Sequence, residues 1–161
     1  MWRTELRPLD LISTARHLAK LGGTRRPRQS DLKRAVSTAY YALFHAMCQN
    51  CADSFIGGTN ADRSASAWRQ VYRSVDHGHA KSQCKNKDML EKFPKDIEDF
   101  AEQFYKLQIE RHAADYDPNS KFFRTDVQAT IDAAEVAMKA FAKVPIKHRR
   151  AFAAWVSLRD R

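Results

Sequence analysis

Apolar residues recur along this chain in steps of three and four, the spacing of one helix face, and nowhere in the alternation of a strand. Pro8 suits a first helical turn and Gly22-Gly23 suit a stop, so the pattern predicts a helix from about Pro8 to Leu21. Leu11, Ala15 and Leu18, with Ile12 and Ala19 alongside, form its apolar side. A long second helix is predicted from Ser30, as N-cap, to about Phe55, with the stripe Leu32, Val36, Ala39, Leu43, Met47. A third, about Ala61 to Val75, carries Ala65, Trp68, Val71, Tyr72 and Val75. The polar stretch Asp76–Asp88 has no clear period.

Phe93-Pro94 opens a fourth helix with Pro94 at its first position and Asp96, Glu98 and Asp99 in its first turns. Its stripe is Ile97, Phe100, Phe104, Leu107, then Arg111 and Ala114, and Asp117-Pro118-Asn119 ends it. Thr125-x-x-Gln128 reads as a capping box for a fifth helix with the stripe Val127, Ile131, Ala134, Met138, Phe141. Pro145 separates it from a basic last helix, about Lys147–Arg159, with Phe152, Trp155 and Val156 on one side. The expectation is an all-α antiparallel bundle of about four long helices plus short ones. It would form a single domain over 1–161, with a core of about 8–143 and the basic helix of 147–159 appended.

Composition narrows the class. Five Gly and five Pro in 161 residues are too few for a turn-rich β-sandwich. The longest apolar stretch, Ala151–Val156, is far short of the roughly 20 residues of a spanning helix, which excludes a membrane reading. Arg3, Glu5, Arg7 and Asp10 stand where an export signal needs an apolar run, so a cytoplasmic location is expected. Cys48, Cys51 and Cys84 are an odd set, expected as free thiols in a reducing compartment.

The net charge of +9 is uneven. Residues 1–34 hold nine Lys/Arg against three Asp/Glu, and residues 139–161 hold seven against one. The middle, 35–138, holds twelve against fifteen, so the two ends carry the excess. Clustered positive charge of this kind favours polyanion contact.

Arg111 is the most informative position, because it falls on the inward stripe of the fourth helix. A buried guanidinium must be paired and hydrogen-bonded. It therefore either pairs with an acid, of which Asp115 at i+4 is the local one, or faces a groove that holds an anion. Tyr40, Tyr41 and His45 form a second cluster on helix two, where Tyr41 and His45 lie side by side at i, i+4 and could line a cleft. Cys48-x-x-Cys51 with His77-x-His79 and Cys84 has zinc-type donors, but the spacing fits no familiar knuckle. Buried thiols on an amphipathic helix are ordinary packing. No metal and no cofactor is expected. The glycine pairs follow helices and do not make a phosphate loop.

Two segments together carry a resemblance. Leu32–Ala46 (LKRAVSTAYYALFHA) resembles the second helix of HEPN-domain proteins, and Arg111–Pro118 (RHAADYDP) resembles the end of the long helix in the small prokaryotic stand-alone branch of that superfamily. The helix order agrees over most of residues 8–143. The resemblance implies a helical bundle and a homodimer whose two Arg-containing motifs face each other across a cleft that binds RNA or nucleotide. It also implies, for many members, metal-independent endoribonuclease activity, in some as toxins paired with a nucleotidyltransferase-like antitoxin. Arg111 matches the motif Arg and His112 the polar residue after it; Tyr116, Asp117 and Pro118 stand where a closing His would be.

The expected function is accordingly RNA or nucleotide binding, with Arg111 on a phosphate and Asp115, Tyr41 and His45 around it. The alternative is an endoribonuclease that uses Arg111 with a non-standard acid/base among His45, His112 and Tyr116. A further alternative is a dimerisation or partner-binding module in which Arg111–Asp115 is a structural ion pair. The dimer expectation also draws on two aromatic-rich stripes, on helices two and four, which are expected to exceed what one small bundle covers.

Overall fold

A computed structural model describes residues 6–160; Arg3, Glu5 and the terminal Arg161, which enter the charge argument above, lie outside the described residues. Among the described residues there are helices and turns and no strands. The order is α1 (Pro8–Lys20), α2 (Gln29–Phe55), α3 (Ala65–Ser74), α4 (His77–Lys85), α5 (Lys87–Leu90), α6 (Lys95–Tyr116), α7 (Arg124–Ala142) and α8 (Ile146–Ser157). The expected all-α bundle is the observed one, and no described helix is long and apolar enough to cross a membrane.

The central element is α2, which packs against α1, α3, α6, α7 and α8. A helix with so many neighbours must be apolar over most of its circumference. The predicted stripe Leu32, Val36, Ala39, Leu43, Met47 is fully buried, and Ala35, Tyr40, Phe44, Cys48 and Cys51 are buried beside it. The apolar stripes of α6 and α7 are likewise buried, and Phe100 stacks on Phe141 at 4.4 Å. The inward faces of both aromatic-rich stripes are thus covered within one chain, while Tyr41 on α2 stays half-buried at the surface.

Several boundaries differ from expectation for identifiable reasons. Ser30 is not the N-cap of α2: the helix starts at Gln29, whose side-chain amide donates to the Phe122 carbonyl and accepts from the Phe122 N–H, both at 2.8 Å. Pro94 is the N-cap of α6 and not its first helical residue. The Thr125 capping box does not form, because α7 begins at Arg124 with Phe123 as its N-cap, two residues before Thr125. The Arg124 guanidinium instead donates to the carbonyls of Ala19, Leu21 and Gly23 at 2.7–3.1 Å. It satisfies acceptors that the end of α1 leaves open, where Gly22 and Gly23 take φ of +88° and +57°.

The third helix is shorter than predicted, because the Ser64 side chain caps α3 by accepting from Ala67 N–H. Asp76–Asp88 folds as α4 and the start of α5, capped by Asp76 and Asn86. The last helix is not an appendage to a core that ends near 143. Phe152, Ala153 and Val156 belong to the same core, with Phe152 edge-on to Phe93, Phe100 and Phe141.

Candidate functional site

The α6 stripe runs Ile97, Phe100, Phe104, Leu107, all fully buried, and its next inward position is Arg111. The guanidinium does not swing away from the core edge; it lies against aromatic rings. Its central carbon is 4.8 Å from the Tyr40 ring centre and 5.9 Å from that of Tyr41. Its Nη1 donates to Asp115 Oδ2 at 3.3 Å, which also accepts from the Ser37 hydroxyl at 3.4 Å. The Arg111 side chain is 15% exposed and that of Asp115 31%, so the pair is open to solvent on the carboxylate side. Arg111 Nε is buried with no hydrogen-bond partner, and so is Gln108 Oε1 one turn earlier.

Tyr40 and Tyr41 are brought to Arg111 by the packing of α2 on α6. Tyr40 is fully buried, and burial pushes its hydroxyl far above the ordinary range, with the Arg111 charge offsetting part of the shift. The protonated hydroxyl meets His77 Nδ1 at 2.5 Å. His77 stacks on Phe44 with ring centres 3.6 Å apart and stands edge-on to Tyr41 at 6.2 Å. Burial first, and the Arg111 cation second, hold its imidazole below the usual pKa. His77 is therefore a neutral imidazole at neutral pH, sharing both tyrosine rings with a fixed cation.

Of the residues singled out from the sequence, Arg111, Asp115, Tyr40 and Tyr41 come together. His45 lies one ring further along α2, 6.3 Å from Tyr41, with Nδ1 hydrogen-bonded to the Tyr72 hydroxyl. Burial lowers the His45 pKa and pushes that of Tyr72 up to about 12. His112 and Tyr116 pack on each other at 4.9 Å on the solvent side of α6, and Tyr116 is 68% exposed. They lie off the face that carries Arg111, as the turn of about 100° per residue requires.

His77, whose place in the sequence suggests only a zinc-type set with His79 and the cysteines, belongs to this cluster instead. A readable signal was Asp76, whose side chain accepts from His79 N–H at 2.7 Å and so starts a helix at His77. The other donors of that set are dispersed. His79 meets the Leu158 carbonyl at 3.0 Å, while Cys48, Cys51 and Cys84 are buried, their thiols pushed up by desolvation. Among the described residues no three His, Cys, Asp or Glu side chains group to hold a metal.

The chemistry available is thus a desolvated cation on an aromatic shelf, one displaceable carboxylate and two neutral imidazoles. In comparison with known proteins, the chain matches no family model, no curated protein and no solved structure.

Proposed function

We propose that this chain is a HEPN-type protein that binds RNA or nucleotide, with Arg111 holding a phosphate in the cleft of a homodimer. The observation that carries the reading is the state of Arg111: a guanidinium on two tyrosine faces, with a buried unpartnered Nε and a single, partly exposed carboxylate as counter-ion. A cation that served packing alone would be neutralised by enclosed acceptors. This one has a single, partly exposed carboxylate partner that an anion can displace. The uneven basic charge of the chain adds attraction for a polyanion.

A second reading is favoured by His77. A neutral imidazole beside a fixed cation is the pairing that metal-independent RNA cleavage needs: one to take the proton of the attacking hydroxyl, the other to hold the phosphate charge as it develops. In this reading His77, and not His45, His112 or Tyr116, is the acid/base.

The test is oligouridylate binding and cleavage by the purified protein in EDTA, with Arg111→Ala and His77→Ala beside it. Binding without cleavage, lost in Arg111→Ala, fits the first reading. Cleavage lost in both variants fits the second. Wild-type affinity in Arg111→Ala overturns both.

A further inference from the structure

Arg111 is one end of a row of rings. Tyr41, beside it, is 6.3 Å from His45; His45 is 5.8 Å from Tyr72; Tyr72 is 5.1 Å from Trp68. The far end repeats the near one, with the Arg63 guanidinium 4.8 Å over the Trp68 ring. All four rings are half-buried, whereas Tyr40 and Phe44, further inward on α2, are buried. The row therefore runs along the surface between two arginines.

The rings are held in place by α3. No residue of α3 is fully buried, and its main packing neighbour is α2. Polar pins set its orientation: Trp68 Nε1 donates to Asp53 at 2.8 Å, Arg63 donates to Asp53 and to the Gly57 carbonyl, and the Tyr72 hydroxyl meets His45. Its outer face carries Arg69 and Arg73 with Ser66, Gln70 and Ser74 between and beside them, forming a shallow surface depression. No acidic residue occurs from Arg63 to Val75.

We infer that the α2–α3 face is a track for single-stranded RNA, with bases on the Tyr41–His45–Tyr72–Trp68 row and phosphates on Arg69 and Arg73, leading the strand to Arg111. The inference rests on the RNA-binding reading of Arg111 and adds the path the strand takes. Spaced, partly exposed rings flanked by cations are the arrangement by which proteins hold single strands without reading sequence. Charge complementarity selects a polyanion, and the rings select one that carries planar bases. A duplex, with its bases stacked inside, has nothing to offer them.

The experiment measures anisotropy of a fluorescent oligouridylate across a salt series, for the wild type, Arg69→Ala/Arg73→Ala, Arg111→Ala and Trp68→Phe. Both α3 arginines are exposed, so the double variant keeps its fold, which circular dichroism checks. The slope of log affinity against log salt should fall by roughly 1.4 in the double variant, about 0.7 for each single-strand phosphate that is no longer neutralised. Binding should quench tryptophan emission in the wild type, and most of that quenching should vanish in Trp68→Phe. A duplex of the same length should bind more weakly, and polyglutamate should compete poorly. An unchanged slope, equal duplex binding, or displacement by polyglutamate as effective as by oligouridylate overturns the track. If Arg111→Ala loses affinity while the double variant keeps the wild-type slope, only the track fails. If Arg111→Ala binds as the wild type does, the reading beneath it fails.

Discussion

Arg111→Ala separates a functional arginine from a structural one by magnitude. The variant removes a cation–π interaction with Tyr40 and Tyr41, worth about 1–2 kcal/mol when desolvated. It also removes a part-exposed ion pair worth at most about 1 kcal/mol. Against these stands a gain, because Nε is buried without a partner and its desolvation is no longer incurred. Asp115, 31% exposed and still bonded to Ser37, can take up water when the cation leaves. The net loss should be about 1–2 kcal/mol, well under the roughly 3–5 kcal/mol of breaking an enclosed pair. For a chain of this length that is a fall in Tm of roughly 2–8 °C.

Binding should suffer more. Loss of a charge-assisted hydrogen bond to phosphate costs about 1.5–3 kcal/mol, which is roughly a ten- to 150-fold rise in Kd. Arg111→Lys keeps the charge but not the planar fork, so it should recover only part of the affinity. Thermal melts and oligouridylate anisotropy on the same preparations read both quantities. A variant that loses more than about 4 kcal/mol of stability yet, kept folded in the cold, binds oligouridylate as the wild type does would make Arg111 a structural residue with no part in binding.

Three further outcomes follow from other parts of the fold. His45 and His77 have pKa values lowered by burial, so the unfolded chain binds more protons than the folded one once pH drops below about 6.5; stability to urea should be full above that pH and decline below it, and His77→Gln should flatten the decline. Arg124→Ala should leave the carbonyls at the end of α1 without donors and lower stability by about 1–3 kcal/mol, with Arg124→Lys unable to restore it, as read by thermal melts. Cys48, Cys51 and Cys84 are buried with thiols pushed upward, so the native protein should resist iodoacetamide at neutral pH and react fully in urea, as counted by intact mass; rapid native labelling would contradict the packing.

The long helices were legible because each buries a continuous stripe of large side chains. Leu32 to Met47, Ile97 to Leu107 and Val127 to Phe141 mark their inward faces without help from any neighbour. Segment α4 was illegible for the converse reason: the buried residues it contributes are Ala80 and Cys84, too small and too few to show a period. Helix starts were the least legible feature. Whether Thr125 or Arg124 opens α7 is decided by acceptors at the end of α1, far away in the chain, and local capping rules contain no such information.

The same division explains the site. Arg111 announces itself as a charge on an apolar stripe and Asp115 follows from one helical turn, whereas Tyr41 marks a candidate cluster on α2 that only the packing of α2 on α6 brings to Arg111. His77 has no such signature. It reaches the cluster because Asp76 starts α4 where its first residue meets the middle of α2, a relation set by tertiary packing. In Asp76–Asp88 a histidine reads only as a metal donor or a solvated side chain. Once placed, its stacking on Phe44, its bond to the Tyr40 hydroxyl and its depressed pKa make it the one imidazole that shares Tyr40 with Arg111 among the described residues. That shared ring couples the two groups: charging His77 would set a second cation against the ring that already holds a guanidinium. Phosphate binding at Arg111 would relieve the repulsion, so an anion held there should raise the His77 pKa. The imidazole resonances of His77, followed by NMR titration with and without oligouridylate, should show that upward shift in the wild type and not in Arg111→Ala; an unshifted titration in the saturated wild type would place the bound phosphate elsewhere.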